Sequence, residues 1–556
     1  MRIHFATAIA SISWTPTPVA AFFPQAPRSS GCRAALASTP RVDSLRLTKS
    51  ETSEQQLPPK DETWSPFGAL RELSASPDVP EDAERYDRVG GLSGGTWKSL
   101  VIGFLPSTVV TMQQGAKWLA REEAAGNVYQ SLPNTVVQIL GEKSFINLSA
   151  QPELHAIGRK PLSQALSPKA VLELTPTMRA SVDKLITRLE GFAESGQEVA
   201  LQDELRGFTQ EAIVGVYFGD YATPELLENV RRFLPTITRG LFSLPVRFPW
   251  PLSQLPVLGF GASMDAREAF KSIVLSVLEE RRTDGTADHA GGVGGKSAGI
   301  LDSLIEIQQD QMGREDGQEG IFDDDSIVDN VITSLFAGTD TTTSTITRAL
   351  QLLATDGDDI IDKLRQELSN TARSDDSELE NDTGSGSGVA ARPGIFASFP
   401  LLHAVVLETF RLHPAVPGVF RKALNDVSYN GYLIPSGATI NMNMIHGFRA
   451  NSLYDEPKKF CPLRFLHGDN GDSEDGSDSN KPRGVPAKQP PPKMFGVGRH
   501  TCPGRELSKL EMLLFFKAFL SKFDYELVGG QSFKGCLPSN GPEDKLLAIL
   551  KIKADA

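Results

Sequence analysis

The chain is poor in cysteine. Its 556 residues carry four, Cys32, Cys461, Cys502 and Cys536, scattered and with no CxxC pair. That spacing excludes a disulfide framework and a zinc ribbon, so Cys502, set among glycines, has to be explained singly. Basic residues are in deficit as well: 56 Lys and Arg stand against 69 Asp and Glu, for a net charge of −13. This balance argues against a nucleic-acid binder. No segment offers about 20 uninterrupted apolar residues, so no spanning helix is expected. No GxGxxG follows a strand pattern, so no flavin or nicotinamide fingerprint is present and any electrons its chemistry needs are expected from outside the chain. What is present is ample apolar material, 40% of residues, with 22% charged. The composition is globular, and the length suits a large domain with sublobes or several domains.

Acidic residues are missing from the start, where the first is Asp43. The preceding stretch is rich in Ala, Ser, Thr and Pro with scattered Arg, which is targeting-peptide chemistry. An apolar run near Phe5 to Trp14, then "VAAFF" and an acid-free basic stretch, resembles the two-part presequences of algae whose plastids lie inside an additional membrane. A plastid is expected, with the endoplasmic reticulum as the alternative. Residues 1–60 read as presequence and linker, and 61–556 as the catalytic domain.

"TWKSLVIGFLPSTVVTM" (Thr96 to Met112) carries two β-prone runs around a Pro-containing turn. From about residue 114 to about 370 the periodicity is helical. "DKLLAILKIKA" reads as a closing strand. The pattern predicts a mainly α fold with small β-sheets. Acidic, Gly- and Ser-rich insertions interrupt it near 283–299, 373–394 and 467–492.

"FGVGRHTCPG" (Phe495 to Gly504) is the densest cluster. A lone thiol is most often a buried core residue, but the polar and backbone-permissive neighbours do not suit that role. A thiolate ligand does. The following helix has an apolar stripe at Leu507, Leu510, Leu513 and Leu514, which turns its N-terminal N–H groups toward the sulfur. Pro503 suits the first helical turn. Gly498 and Gly504 let the backbone approach a flat macrocycle, Arg499 can reach an acidic edge group, and Phe495 can pack beside the sulfur.

Phe495, Gly498, Arg499, Cys502 and Gly504 resemble the FxxGxRxCxG loop of the cytochrome P450 family, which implies a helical lobe plus a smaller β-rich lobe. By that resemblance Cys502 is the axial ligand of the iron in heme b, iron protoporphyrin IX. A helix from Ser326 to about Leu353 carries "AGTDTTTST" in its middle. Threonines bonding back to the preceding turn would be the bland explanation, but Asp340 and Gly338 are unfavourable in a buried helix. The segment is similar to the family's oxygen-activation motif. That likeness implies that Gly338 opens room above the iron, Thr341 hydrogen-bonds bound dioxygen, and Asp340 relays protons.

Glu408 and Arg411 in "ETFR" share a helix face, as a surface ion pair would. The family's ExxR pair is instead buried and joined by a later Arg. Here that is Arg464 in "FCPLRF", with Leu463 where the family usually has an acid. His155 and Arg159, four apart, resemble the family segment that holds a heme propionate, and Arg421 is a further candidate. The proline-rich hinge usual in the family is absent, and "WSPFGALRELSASPDVPED" stands in its place.

The resemblance implies a monooxygenase that takes dioxygen as co-substrate and electrons from NADPH through a separate partner. That partner would be ferredoxin in a plastid or a flavoprotein reductase in the endoplasmic reticulum. Lys493, Arg505 and Lys509 could form its docking face. Peripheral membrane contact is a further possibility. Arg231 to Gly261 is rich in Phe, Leu and Pro and would cover an apolar access channel. The chain most resembles the branch that oxidises retinoids, sterols and plant steroids, with Pro417, Gly418 and Val419 beside the heme. The expected substrate is an isoprenoid: a retinoid, apocarotenoid, carotenoid or sterol. A fatty acid is the alternative within the family. A heme-binding sensor or relic, and a heme-free enzyme with Cys502 as nucleophile and a histidine base, are the competing readings.

Overall fold

Two β-prone runs form the first strands of the described chain, and Lys60 ahead of them bridges to Lys98. Strand β1 (Thr96–Val101) pairs antiparallel with β2 (Leu105–Thr111). Pro106 falls inside β2, opposite Leu100, rather than in the turn where the sequence suggested it. It is tolerated because β2 begins pairing with its other neighbour only at Thr108, so the missing N–H costs no bond on that side. The computed structural model describes residues 57–58, 60, 96–101, 105–243, 246–247, 258–285, 299–312, 322–371, 395–449, 453–466, 491–529, 535–536, 541–542 and 544–553. The leader, most of each insertion and much of the Phe- and Pro-rich stretch after Ser243 lie outside these residues. Thr283 to Gly285, expected in an insertion, instead complete a helix.

Along the chain come α1 (Met112–Ala124), β3 (Val128–Gln130), α2 (Pro152–Ala165), β4 (Val199–Ala200), α3 (Leu201–Phe218), α4 (Pro224–Arg239) and α5 (Phe260–Gly285). Then follow α6 (Asp324–Asp356), α7 (Pro400–Leu412), β5 (Gly418–Ala423), the pair β6 (Val427–Tyr429) and β7 (Tyr432–Ile434), and β8 (Thr439–Asn443). Last are α8 (Arg505–Lys522), β9 (Phe523–Leu527), the pair β10 (Gly535–Cys536) and β11 (Gly541–Pro542), and β12 (Leu547–Ile552). A five-stranded sheet has the order β1-β2-β8-β5-β3 and carries its own apolar cluster with α1. The larger core lies among the helices. This is the mainly α fold with small sheets that the periodicity predicts. Among the described residues no helix is long and apolar enough to cross a membrane.

Helix α6 is the longest among the described residues, at 33 residues. Asp323 caps it by accepting from the Ser326 N–H at 2.9 Å, and Asp324 and Asp325 in its first turn complement the helix dipole. Ile327, Val328, Val331, Ile332 and Leu335 are fully buried, and each such side chain contributes about 1.5–3 kcal/mol of transfer free energy. Helix α7 stops at His413, which the following Pro414 biases away from helical geometry.

The start of α3 is held from far along the chain. The Leu201 and Gln202 N–H groups, which no helical carbonyl can satisfy, donate to the carbonyls of Leu546 and Lys545 at 3.2 and 3.1 Å. Lys545 Nζ also pairs with Asp203 at 2.8 Å. Strand β12 then runs between β4 and β9.

Candidate active site

Glycine shapes the loop ahead of α8. Gly496 and Gly498 have φ of +75° and +67°, where an L side chain would be strained. The Cys502 N–H closes the loop by donating to the Phe495 carbonyl at 2.9 Å. The Cys502 side chain is accessible, yet desolvation is the largest influence on its thiol and raises its pKa, against the Gly504 N–H, Arg159 and Arg505. The sulfur is thus reachable from outside while the protein packed around it keeps its surroundings poor in water. Helix α8 begins at Arg505 with Gly504 as its cap, so Pro503 precedes the helix instead of lying in its first turn. A Cβ on Gly504 would stand 3.9 Å from the Cys502 sulfur. Leu507, Leu510, Leu513 and Leu514 are buried, as the stripe required.

His155 and Arg159 project from α2 and, with Arg499, line a cavity of about 320 Å³. Arg159 Nη2 donates to the Thr501 carbonyl, tying α2 to the cysteine loop. The His155 and His500 rings meet edge to face at 4.8 Å. Burial, then Arg159 and Arg499, pushes His155 down to about 4. Burial, then Arg421 and other neighbouring cations, pushes His500 down to about 2. His500 Nε2 lies 3.0 Å from Ser149 Oγ and 3.2 Å from Arg499 Nε. Among the described residues neither imidazole hydrogen-bonds Cys502, so the histidine base that a heme-free nucleophile needs is not in place.

These groups fit a propionate-bearing macrocycle. His155 Nε2 is buried without a hydrogen-bond partner among the described residues. Neither Arg159 nor Arg499 has a carboxylate ion pair among them. Two guanidinium groups and an orphaned imidazole nitrogen beside an accessible thiol form a donor set for acidic edge groups over a sulfur ligand. Arg421, expected in the same set, lies beside it: its Nε donates to Glu123 Oε1 at 2.6 Å, with the side chains 4% and 2% exposed, and its Nη2 has no hydrogen-bond partner among the described residues.

On α6, Ala337 and Thr341 interrupt the burial of the helix. Ala337 is exposed and Thr341 partly so. The Thr341 hydroxyl donates to the Ala337 carbonyl at 2.8 Å, the back-bond that a threonine run allows. Gly338 faces elsewhere. A Cβ there would lie 2.8 Å from Ile213 Cγ1 on α3, so this glycine permits close helix contact, and Ala337 shares the open face with Thr341. Asp340 is 7% exposed. Desolvation raises its pKa, opposed by Arg206, whose Nε lies 3.3 Å away. Arg206 Nη1 is 3.7 Å from Asp203, which pairs with Lys545, so charged groups link the buried acid to the surface. Thr342 hydrogen-bonds Glu511 of α8, a carboxyl that burial raises to about 8. This contact joins the helix of the threonine run to the helix after Cys502.

The ExxR network is complete. Arg411 Nε and Nη2 each donate to the Glu408 carboxylate at 2.8 Å, and Arg464 Nε adds a bond at 3.1 Å. The Cys461 N–H supplies another at 2.9 Å. With Leu463 in place of an acid, Arg464 turns to main-chain carbonyls, including that of Asp455 at 2.8 Å. Of the expected docking residues Lys493 is exposed, while Arg505 and Lys509 share Glu506 at 2.7 and 3.3 Å. Pro417, Gly418 and Val419 are half-buried at the start of β5, with Val419 packed on the sheet cluster.

Three side chains at this site carry no motif: Glu123, Arg206 and Glu511. For Glu123 and Glu511 the available signal is a carboxylate on the apolar side of a helix. Arg206 gives none.

A sequence profile described as Cytochrome P450 matches residues 100–551. Abscisic acid 8'-hydroxylase 1 of Arabidopsis thaliana is 26% identical over 500 residues, covering 88% of this chain and 91% of that protein. Cytochrome P450 88A1 of Zea mays is 26% identical over 503 residues, 89% of this chain and 85% of that protein. The solved structure of retinoic acid bound cyanobacterial CYP120A1 matches with a TM-score of 0.66 and 25% identity, over 90% of this chain and 100% of that one.

Proposed function

This chain belongs to the cytochrome P450 family, and from that membership we propose that Cys502 is the axial thiolate of heme b in a monooxygenase that hydroxylates or epoxidises an isoprenoid. The family reading brings with it dioxygen, a hydrophobic substrate and electrons from a redox partner. The observation that carries the assignment of Cys502 is its accessible side chain on a glycine-shaped loop, beside two arginines with no carboxylate partner among the described residues.

Heme bound there supplies activation of dioxygen and oxidation of a C–H or C=C bond, with electrons that begin on NADPH. The chain supplies the setting. The Gly504 N–H and the start of α8 favour the thiolate form of Cys502. His155, Arg159 and Arg499 orient the propionates. Asp340 is buried enough to hold a proton, and Arg206, Asp203 and Lys545 connect it to solvent. Thr341, one residue on, presents its hydroxyl on the open face of α6, where it can accept a hydrogen bond while its own proton is donated to the Ala337 carbonyl.

An isoprenoid substrate is supported by the named relatives, one of which hydroxylates abscisic acid while another binds retinoic acid. Retinoids, apocarotenoids, carotenoids and sterols are the members to try, with fatty acids as the contrast. The acid-free leader supports plastid import, and with it ferredoxin as electron donor; a flavoprotein reductase would serve in the endoplasmic reticulum, with peripheral membrane contact. The test is the dithionite-reduced, carbon monoxide difference spectrum. A thiolate-type Soret band is expected and should vanish in Cys502→Ser. Folded, heme-supplied protein without that band would overturn the assignment.

A further inference from the structure

Glu123 ends α1 with its side chain 2% exposed, next to the loop that carries Cys502. Its Oε1 accepts from Arg421 Nε at 2.6 Å and lies 3.9 Å from His500 Nε2. Its Oε2 has no hydrogen-bond partner among the described residues and stands 3.4 Å from where a Cβ on Gly498 would be. Burying a carboxylate is costly unless nearby cations compensate it. Here the compensating cations belong to the cluster that receives the propionates.

Arg421 is as deeply placed as its partner. Its Nη1 donates to the Phe420 carbonyl at 2.9 Å, and β5 pairs with β8 and β3 on either side. Desolvation lowers its pKa, Glu123 opposes that shift, and Arg499 adds to it. His500 Nε2, 3.9 Å from Glu123 Oε1 and 3.2 Å from Arg499 Nε, joins the two arginines' surroundings, and Glu123 offsets part of their mutual repulsion.

The formal charges then balance. Arg159, Arg421 and Arg499 bring three positive charges and Glu123 one negative, which leaves two. Heme b carries two propionates, while ferric iron, the porphyrin dianion and one thiolate cancel. Lys160 at the cavity rim is exposed and therefore screened by solvent.

We propose that Glu123 is a positioning residue acting through Arg421: it holds that guanidinium by its Nε, offsets one of the three arginine charges of the cluster, and thereby helps to set the reduction potential of the iron. The proposal rests on the reading of Cys502 as the heme ligand. Removing the carboxylate charge leaves one uncompensated cation near the heme, which favours the ferrous state.

The experiment uses the heme-loaded full chain and measures the ferric/ferrous midpoint potential by spectroelectrochemical titration, after the carbon monoxide band has verified thiolate ligation. Glu123→Gln should shift the potential upward and Arg421→Gln downward. The double variant Glu123→Gln/Arg421→Gln should return close to the parent. Glu123→Asp, which keeps the charge, should hold the parental potential even where its thermal stability falls. A purely structural ion pair would lower stability and leave the potential in place. A Gln variant with an intact thiolate band and unchanged potential overturns the proposal, as does a double variant that does not return. If Glu123→Gln fails to load heme, Arg421→Gln decides: no downward shift overturns it. A parent without the thiolate band refutes the underlying reading instead.

Discussion

Replacing Gly338 by Ala separates two roles for that glycine, clearing space beside dioxygen or letting two helices touch. The added methyl would lie 2.8 Å from Ile213 Cγ1 and 2.9 Å from Cδ1, about 0.6 Å inside ordinary contact. Overpacking of this kind costs about 1–3 kcal/mol, and the better helix propensity of Ala returns about 1 kcal/mol. The net loss expected for Gly338→Ala is about 0–2 kcal/mol. Ile213 is 4% exposed, so Ile213→Ala leaves a void and costs about 2–5 kcal/mol. Combined, the new methyl occupies part of that void. The double variant should therefore be more stable than the sum of the singles by about 0.5–3 kcal/mol, the coupling expected of residues in contact. Equilibrium urea unfolding of the four proteins, prepared with equal heme content, gives the cycle. Additivity within experimental error would refute the packing argument. So would a Gly338→Ala protein as stable as the parent that has lost its oxygen chemistry.

Glu408→Gln leaves Arg411 and Arg464 as buried like charges around a neutral amide; the loss expected is about 3–5 kcal/mol, a large share of a typical folding free energy of 5–15 kcal/mol, and is read as a lower urea midpoint and poor soluble yield. Glu511→Gln should change how stability depends on pH. The Glu511 carboxyl keeps its proton to about 8 in the folded chain against a reference of 4.5, so between those values the folded state binds more protons and stability falls as pH rises. Glutamine does not titrate. The variant should therefore gain on the parent progressively from about pH 5 to pH 8 in urea unfolding, and parallel curves would refute the buried-acid assignment.

What could be read in the sequence was what lies close along the chain. The Cys502 loop is legible because ligand, glycines and helix start must be adjacent, and the Glu408–Arg411 pair because one turn of helix fixes it. The bounds of α6 followed from an acidic cap and an uninterrupted apolar period. Contacts between distant segments left little trace. The pairing of Arg421 with Glu123 could not be read because the two stand 298 positions apart. Gly338 was given to the oxygen side because nothing in the sequence places Ile213 against it. Arg464 was left with an uncertain outer partner at Leu463, since main-chain carbonyls filling that place have no residue signature.

The bonds at the head of α3 bear on the order in which the molecule is made. The groups that complete its first turn belong to residues 545 and 546, and the Lys545–Asp203 pair spans 342 positions. During synthesis, α3 can form as a helix early, but its last anchors emerge after the Cys502 loop has already left the ribosome. Arg206 and Ile213, which α3 presses against the threonine run of α6, acquire those anchors last. The wall that α3 forms against α6 is thus tied down by residues made after the Cys502 loop, so a chain lacking its last strand would keep the loop and lose the anchors of the helix that faces the threonine run.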